Sequence, residues 1–177
     1  MEISNVYAFI DSQNLNLGVR SQGWKLDWRK FRQYLRNKYN VTKAYLFIGE
    51  VPGNELLYIF LQESGYILIF KPTLEHYENG QVKTKGNVDA ELVLHTMIHY
   101  KHYKKAIIVS GDGDFHYLIE YLVGESKLLK VLAPTRHYSG LLRKFNKNNY
   151  IIRIDLLRSS LEGKDKKITG ICGRSKP

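Results

Sequence analysis

The chain has a single cysteine, Cys172, in 177 residues. That scarcity excludes an internal disulfide framework and a cysteine-based zinc site. No apolar run approaches the ~18 residues that mark a membrane-spanning helix. The opening residues, Met1-Glu2-Ile3-Ser4-Asn5, lack the basic start and long apolar stretch of a secretory signal. Together these absences predict a soluble cytoplasmic protein with no membrane partner. Acids are also in short supply. Against 27 Lys and Arg stand only 17 Asp and Glu, a formal charge of +10 with a pI near 9.6. Such an excess bears on association with a polyanion rather than on fold. What the chain does have is core material: hydrophobic residues make up 44%, with 13 Tyr, 7 Phe and 2 Trp. That composition excludes a disordered polybasic chain, and the length predicts one domain of ~150 residues with a short tail.

The tail accounts for little of the charge. Residues 159–177 carry five bases (Lys164, Lys166, Lys167, Arg174, Lys176) against Glu162 and Asp165, so +7 of the +10 belongs to residues 1–158. The division expected is a folded body over 1–158 and a basic, glycine-rich, flexible tail over 159–177.

The body alternates strands and helices. Val6–Ile10, Ala44–Ile48, Ile67–Phe70, Ala106–Val109, Lys130–Leu132 and Tyr150–Ile154 are short apolar runs of the kind buried on both faces in a parallel sheet. Asp27 is placed to cap a helix that buries Trp28, Phe31 and Leu35 and turns Arg29, Arg32 and Arg36 outward. Further helices are expected over 54–63, closed by Gly65, over 89–103, with Ala90, Val93, Leu94, Met97 and Ile98 on its buried stripe, and over 114–123 and 139–146. Between residues 73 and 86 the stretch is polar, and Asn79-Gly80 at its centre signals a type I′ hairpin, a small flap. The pattern as a whole predicts an α/β fold: a Rossmann-like three-layer sandwich around a mostly parallel sheet.

Three acidic motifs fall where these elements begin or end. Asp11 follows the first strand and leads into Ser12-Gln13-Asn14. Asp112-Gly113-Asp114 follows the strand ending at Ser110, and Asp89 begins a helix. In open α/β sheets ligands bind beyond the carboxyl ends of the strands, where strand order reverses. If the first and fourth of these strands flank that point, Asp11, Asp112 and Asp114 converge there and Asp89 can join them. Crowded carboxylates repel one another, and a hard divalent cation with a preference for oxygen ligands resolves the conflict. Such ions serve phosphodiester hydrolysis. Asn14 adds an amide able to orient a carboxylate or a water, and Glu50 is a weaker further candidate. Each motif also has an ordinary structural use: Asp-Gly-Asp makes a turn and a helix cap, and Asp89 suits the positive end of a helix dipole.

The segments Phe9-Ile10-Asp11-Ser12-Gln13-Asn14, Lys85-Gly86-Asn87-Val88-Asp89 and Ser110-Gly111-Asp112-Gly113-Asp114-Phe115, in that order and spacing, resemble the signatures of NYN domains, most closely the LabA-like branch, within the PIN-like nuclease superfamily. The resemblance spans roughly residues 3–155 and implies a metal-dependent ribonuclease with an acidic cluster binding Mg²⁺ or Mn²⁺. By position it implies Asp11, Asp89, Asp112 and Asp114 as metal-binding catalytic acids and Asn14 as their companion amide. Many NYN segments read Lys-Gly-Val-Asp, and here Asn87 is an extra residue. The alternative is a non-catalytic RNA-binding or regulatory protein that retains the nuclease fold. A small-molecule phosphatase fits less well, because no second Asp stands two residues after Asp11.

A nuclease must also hold a polyanion beside its acids. Candidates for contacting single-stranded or structured RNA are Lys83 and Lys85 in the flap, Arg29, Arg32 and Arg36 on the basic helix face, and Arg136 after the fifth strand. Tyr77, Trp24 and Trp28 are candidates for stacking on bases, although Trp28 at helical spacing with Phe31 also fits the core. His95, His99 and His102 share a helix at metal-binding spacing, but a solvated face is the expected use. The chain is compatible with a monomer or a homodimer.

Overall fold

The structure is a computed structural model and describes residues 5–72, 74–78, 81–85 and 88–163, without side chains at 72, 74–78 and 81–85. The elements run β1 (Val6–Asp11), α1 (Ser12–Arg20), α2 (Trp28–Tyr39), β2 (Val41–Glu50), α3 (Glu55–Glu63), β3 (Tyr66–Pro72), β4 (Leu74–Glu78) and β5 (Gln81–Lys85). They continue with α4 (Asp89–Ile98), β6 (Lys105–Val109), α5 (His116–Gly124), β7 (Leu128–Ala133), β8 (Ile151–Arg153) and α6 (Arg158–Leu161). Among the described residues no helix is long and apolar enough to cross a membrane.

Six strands form one parallel sheet in the order β3-β2-β1-β6-β7-β8. The chain builds outward from β1 through β2 to β3, then returns to the other side of β1 and builds outward again. The reversal lies between β1 and β6, the arrangement expected from the sequence.

Alternation along β1 explains the layers. Val6, Ala8 and Ile10 face one side, with Leu15 and Val19 of α1, Phe31 and Leu35 of α2, and Leu57 and Leu61 of α3. Tyr7 and Phe9 face the other, with Leu92 of α4 and Leu118, Ile119 and Leu122 of α5. Every residue of β1 is buried, which is why its sequence is an unbroken apolar run up to Asp11. The caps follow the local chemistry: Asp27 accepts from the Lys30 N–H at 3.1 Å and starts α2, and Gly65, at φ +94°, takes the left-handed turn after α3 that a Cβ would strain.

Several expectations need correction. Residues 12–20, for which the sequence predicts no element, form α1, because Leu15 and Val19 at i and i+4 bury against the sheet. On α4 the buried positions are Leu92 and Thr96, whereas Ala90, Leu94, Met97 and Ile98 are exposed. The helix is apolar on nearly all sides, so spacing alone did not select its face. His95 and His99 do not make a solvated stripe: their rings pack on Phe47 (5.6 Å) and Tyr45 (4.6 Å). Trp24 is 3% exposed and unavailable for base stacking; Trp28 is core. Residues 159–163, assigned to the tail by charge and composition, dock on the body. Leu161 is 1% exposed, the Asp27 N–H donates to the Leu161 carbonyl at 2.9 Å, and the Gly163 N–H to that of Lys25 at 2.9 Å. β4 and β5 pair antiparallel, while the turn expected at Asn79-Gly80 lies outside the described residues.

Candidate metal centre

β1 delivers Asp11 to the sheet edge and buries it to 5% exposure. One oxygen, Oδ1, accepts from the Asn14 N–H at 3.0 Å and so starts α1; Oδ2 receives the Ser110 hydroxyl at 3.4 Å. The Ser110 Oγ accepts in turn from the Asp112 N–H at 3.1 Å, and the Asn14 Oδ1 accepts from the Gly111 N–H at 2.8 Å. The loops after β1 and β6 are thus tied together by side-chain bonds across the switch point. Ser110 takes a part no sequence signal assigned to it, although it stands inside the Ser-Gly-Asp-Gly-Asp segment.

Asp112 uses Oδ1 to accept from the Asp114 N–H at 3.0 Å, capping a short 3-10 turn over Gly113–Phe115. Of the two acids in Asp-Gly-Asp, Asp112 makes the cap. Asp89 is the first residue of α4, where the helix dipole favours a carboxylate. Carboxylate oxygens of Asp89, Asp112 and Asp114 lie within 4.8 Å of one another; the first two side chains are half-buried and the third is exposed.

Asp11 stands behind this trio, outside the 4.8 Å group. Its carboxyl is pushed from 3.8 up to about 6. Burial is the main cause and the charges of Asp89 and Asp112 add to it, while the hydrogen bonds from Asn14 and Ser110 act in the opposite direction.

The donor set fits a hard cation. The trio offers only carboxylate oxygens, with neither the imidazole nor the thiolate that zinc prefers. Glu50 ends β2 at the same sheet edge, exposed and outside the group.

The cationic candidates are dispersed. Arg136 follows β7 at the same edge as Asp112, exposed, with its Nε donating to the His137 Nε2 at 3.1 Å. Arg32 is held at the opposite edge. Its guanidinium donates to the carbonyls of Gly65, Val41 and Thr42, just before β3 and at the start of β2. Since these strands are parallel to β1, those carbonyls lie at the far end of the sheet from Asp11, and Arg32 is not at the aspartates. Arg29 sits over the Phe60 ring of α3 at 4.7 Å, and Arg36 is exposed in the last turn of α2, which leads directly to the start of β2. Lys83 and Lys85 belong to β5, and their side chains, like that of Tyr77, lie outside the described residues.

Fold and site together define a three-layer α/β protein of the PIN-like type, with a carboxylate cluster at the switch point of its sheet. Residues 5–155 match the NYN domain, and the chain belongs to that family. It is 26% identical over 166 residues to the low amplitude and bright protein LabA of Synechococcus elongatus, an alignment covering 90% of this chain and 88% of that protein. The crystal structure of a protein of unknown function from Vibrio parahaemolyticus superposes with a TM-score of 0.73 at 20% identity, covering 92% of this chain and 98% of the other. That likeness shows the fold alone.

Proposed function

We propose that the protein is a divalent-metal-dependent ribonuclease that cleaves RNA phosphodiester bonds at the aspartate trio. The single observation behind this reading is that Asp89, Asp112 and Asp114 meet in front of the buried Asp11, at the point of the sheet where strand order reverses. Family membership supports it. Asp89, Asp112 and Asp114 would hold Mg²⁺ or Mn²⁺, with Asp11 behind them. When bound, such an ion neutralises charge on the phosphate and on the departing ester oxygen, and makes water a better nucleophile at neutral pH. Three carboxylates facing a phosphodiester without a cation would repel it.

The remaining roles belong to the chain. Ser110 and Asn14 tie the loops after β1 and β6 together, which holds Asp11 and Asp112 in register. Asp112 is oriented by the bond its Oδ1 accepts, and its second oxygen can face the ion. Arg136 adds positive charge at the same edge for the incoming strand. The body of the protein supplies the rest of the attraction, which predicts binding that weakens steeply with salt.

Incubation of the purified protein with labelled RNA and DNA, in Mn²⁺ or EDTA, tests the reading. Cleavage of RNA that needs the metal and is lost in Asp112→Asn supports it. Cleavage that survives EDTA, or survives that substitution, overturns it. Salt-sensitive RNA binding without turnover at any divalent concentration establishes instead the non-catalytic RNA-binding protein that keeps the nuclease fold.

A further inference from the structure

A pocket of about 180 Å³ is lined by Asn14, Leu17 and Gly18 of α1, by Gly111, which precedes Asp112, and by the loop that follows β7. At ~30 Å³ per water this is room for about six waters, and it falls below the ~300 Å³ at which pockets for whole drug-sized ligands begin. The space suits one ring system rather than a complete nucleotide.

Its walls come from close backbone approach. At Gly18 of α1 a Cβ would stand 2.5 Å from the Pro134 Cβ, and at Gly111 one would stand 3.2 Å from the Tyr138 Cβ. Leu17, 45% exposed, and Pro134 supply apolar lining, and His137 and Tyr138 complete it with aromatic residues, Tyr138 also packing against the core on the α4–α5 side of the sheet. The polar groups are donors. With its Oδ1 engaged by the Gly111 N–H, Asn14 keeps its Nδ2 hydrogens; with its oxygen accepting from the His137 N–H at 3.0 Å, Thr135 keeps its hydroxyl hydrogen. Apolar walls, aromatic rings and a donor edge match the face and the acceptor edge of a nucleobase. Asn14 and Gly111 belong both to this lining and to the hydrogen-bonded frame of the aspartates.

We propose that this pocket receives one base of the RNA strand whose phosphate lies at the aspartates, and so selects the nucleotide beside the cut. The proposal rests on the nuclease reading above for the neighbouring phosphate. Arg136, exposed and donating to the ring of the lining residue His137, would meet the flanking phosphate.

The full chain carrying Asp112→Asn, which leaves the strand uncut, is titrated with fluorescent hexamers of U, A, C and G, and with the four nucleoside monophosphates as a separate arm. The same protein is crosslinked to 4-thiouridine RNA and the adducts are mapped. Leu17→Trp plugs the pocket from an exposed helix position, and Tyr138→Leu removes the ring while keeping an apolar side chain.

One hexamer is expected to bind about tenfold tighter than the weakest, with the spread collapsing to within about twofold in both variants, a change on the scale of losing one stacked base. Adducts are expected between residues 134 and 138. Equal affinity for all four hexamers, a spread unchanged in both variants, or adducts confined to other segments overturns the proposal. Monophosphate binding that Leu17→Trp abolishes while hexamer binding ignores that change overturns the strand-borne base in favour of a free nucleotide. Cleavage assays of the native chain run alongside separate the two readings. Base-selective binding without any turnover refutes the nuclease and keeps the pocket, whereas cleavage at the same positions in Leu17→Trp and the native chain refutes the pocket and keeps the nuclease. No RNA binding by any of the proteins refutes both.

Discussion

Replacing Asp11 by Asn should stabilise the metal-free protein at neutral pH, although the side chain belongs to the hydrogen-bonded frame of the site. The folded protein raises the Asp11 carboxyl from 3.8 to about 6, chiefly by burial. A raised pKa means that the folded state binds this proton more tightly than the unfolded chain does. The associated stabilisation is therefore complete below pH 3.8 and is lost as pH rises through about 6. At 1.36 kcal/mol per pH unit, ionised Asp11 costs the folded protein about 3 kcal/mol above that range.

Asn keeps the shape of the side chain and is as good a helix cap as Asp, so the bond from the Asn14 N–H survives. Thermal unfolding in EDTA should show Asp11→Asn equal to the native chain near pH 4. Near pH 7.5 it should be more stable by up to about 3 kcal/mol, which is about 2–4 °C in Tm for each kcal/mol in a chain of this size. Excess Mg²⁺ should close most of that gap. An ion present at a hundred times its Kd stabilises the native chain by about 2.7 kcal/mol, and the variant has lost one of the four charges that attract it. A variant less stable than the native chain at pH 7.5 in EDTA, or a difference that does not change with pH, would refute the electrostatic account of Asp11.

Other substitutions probe the frame and the boundaries. Gly18→Ala should destabilise by about 1–2 kcal/mol in a melting experiment: helix propensity favours Ala by about 1 kcal/mol, but the new methyl group collides with Pro134. Leu161→Ala should cost about 2–3 kcal/mol of unfolding free energy, since the side chain is buried against the α1–α3 layer; a surface-like loss below 0.5 kcal/mol would place residue 161 in the tail after all. Arg32→Ala should lower stability by about 1–2 kcal/mol, because its charged hydrogen bonds join α2 to the starts of β2 and β3. Arg136→Ala should instead leave the melting temperature unchanged, weaken RNA binding, and reduce the slope of log affinity against log salt by about 1.

Much of the fold was legible because its strands are buried on both faces. A strand such as Val6–Ile10 has no polar alternation to obscure it, and the alternation of such runs with helices predicts the parallel sheet by connectivity alone. The helix cap at Asp27 was equally readable, since a carboxylate satisfying a backbone N–H three residues on is a local matter. α1 was not. It begins without a turn after β1, contains Gly18 and several polar residues, and is held by Leu15 and Val19 pressing on a sheet whose position the local sequence does not contain. The apolar surplus of α4 likewise left its buried face to be chosen by Phe9, Phe47 and Phe115.

Of the site, the sequence by itself determined the ingredients: carboxylates at the ends of elements, an amide three residues after the first, and a body with a net positive charge. Only the tertiary structure decided their relation. It set Asp89, Asp112 and Asp114 together, drew Asp11 back into the low-dielectric interior, and carried Arg32 to the opposite end of the sheet. Local chemistry depends on neighbours in the chain, which the sequence states outright. The distance between Asp89 and Asp112 depends instead on how six strands order themselves, and that follows from burying both faces of the whole sheet at once.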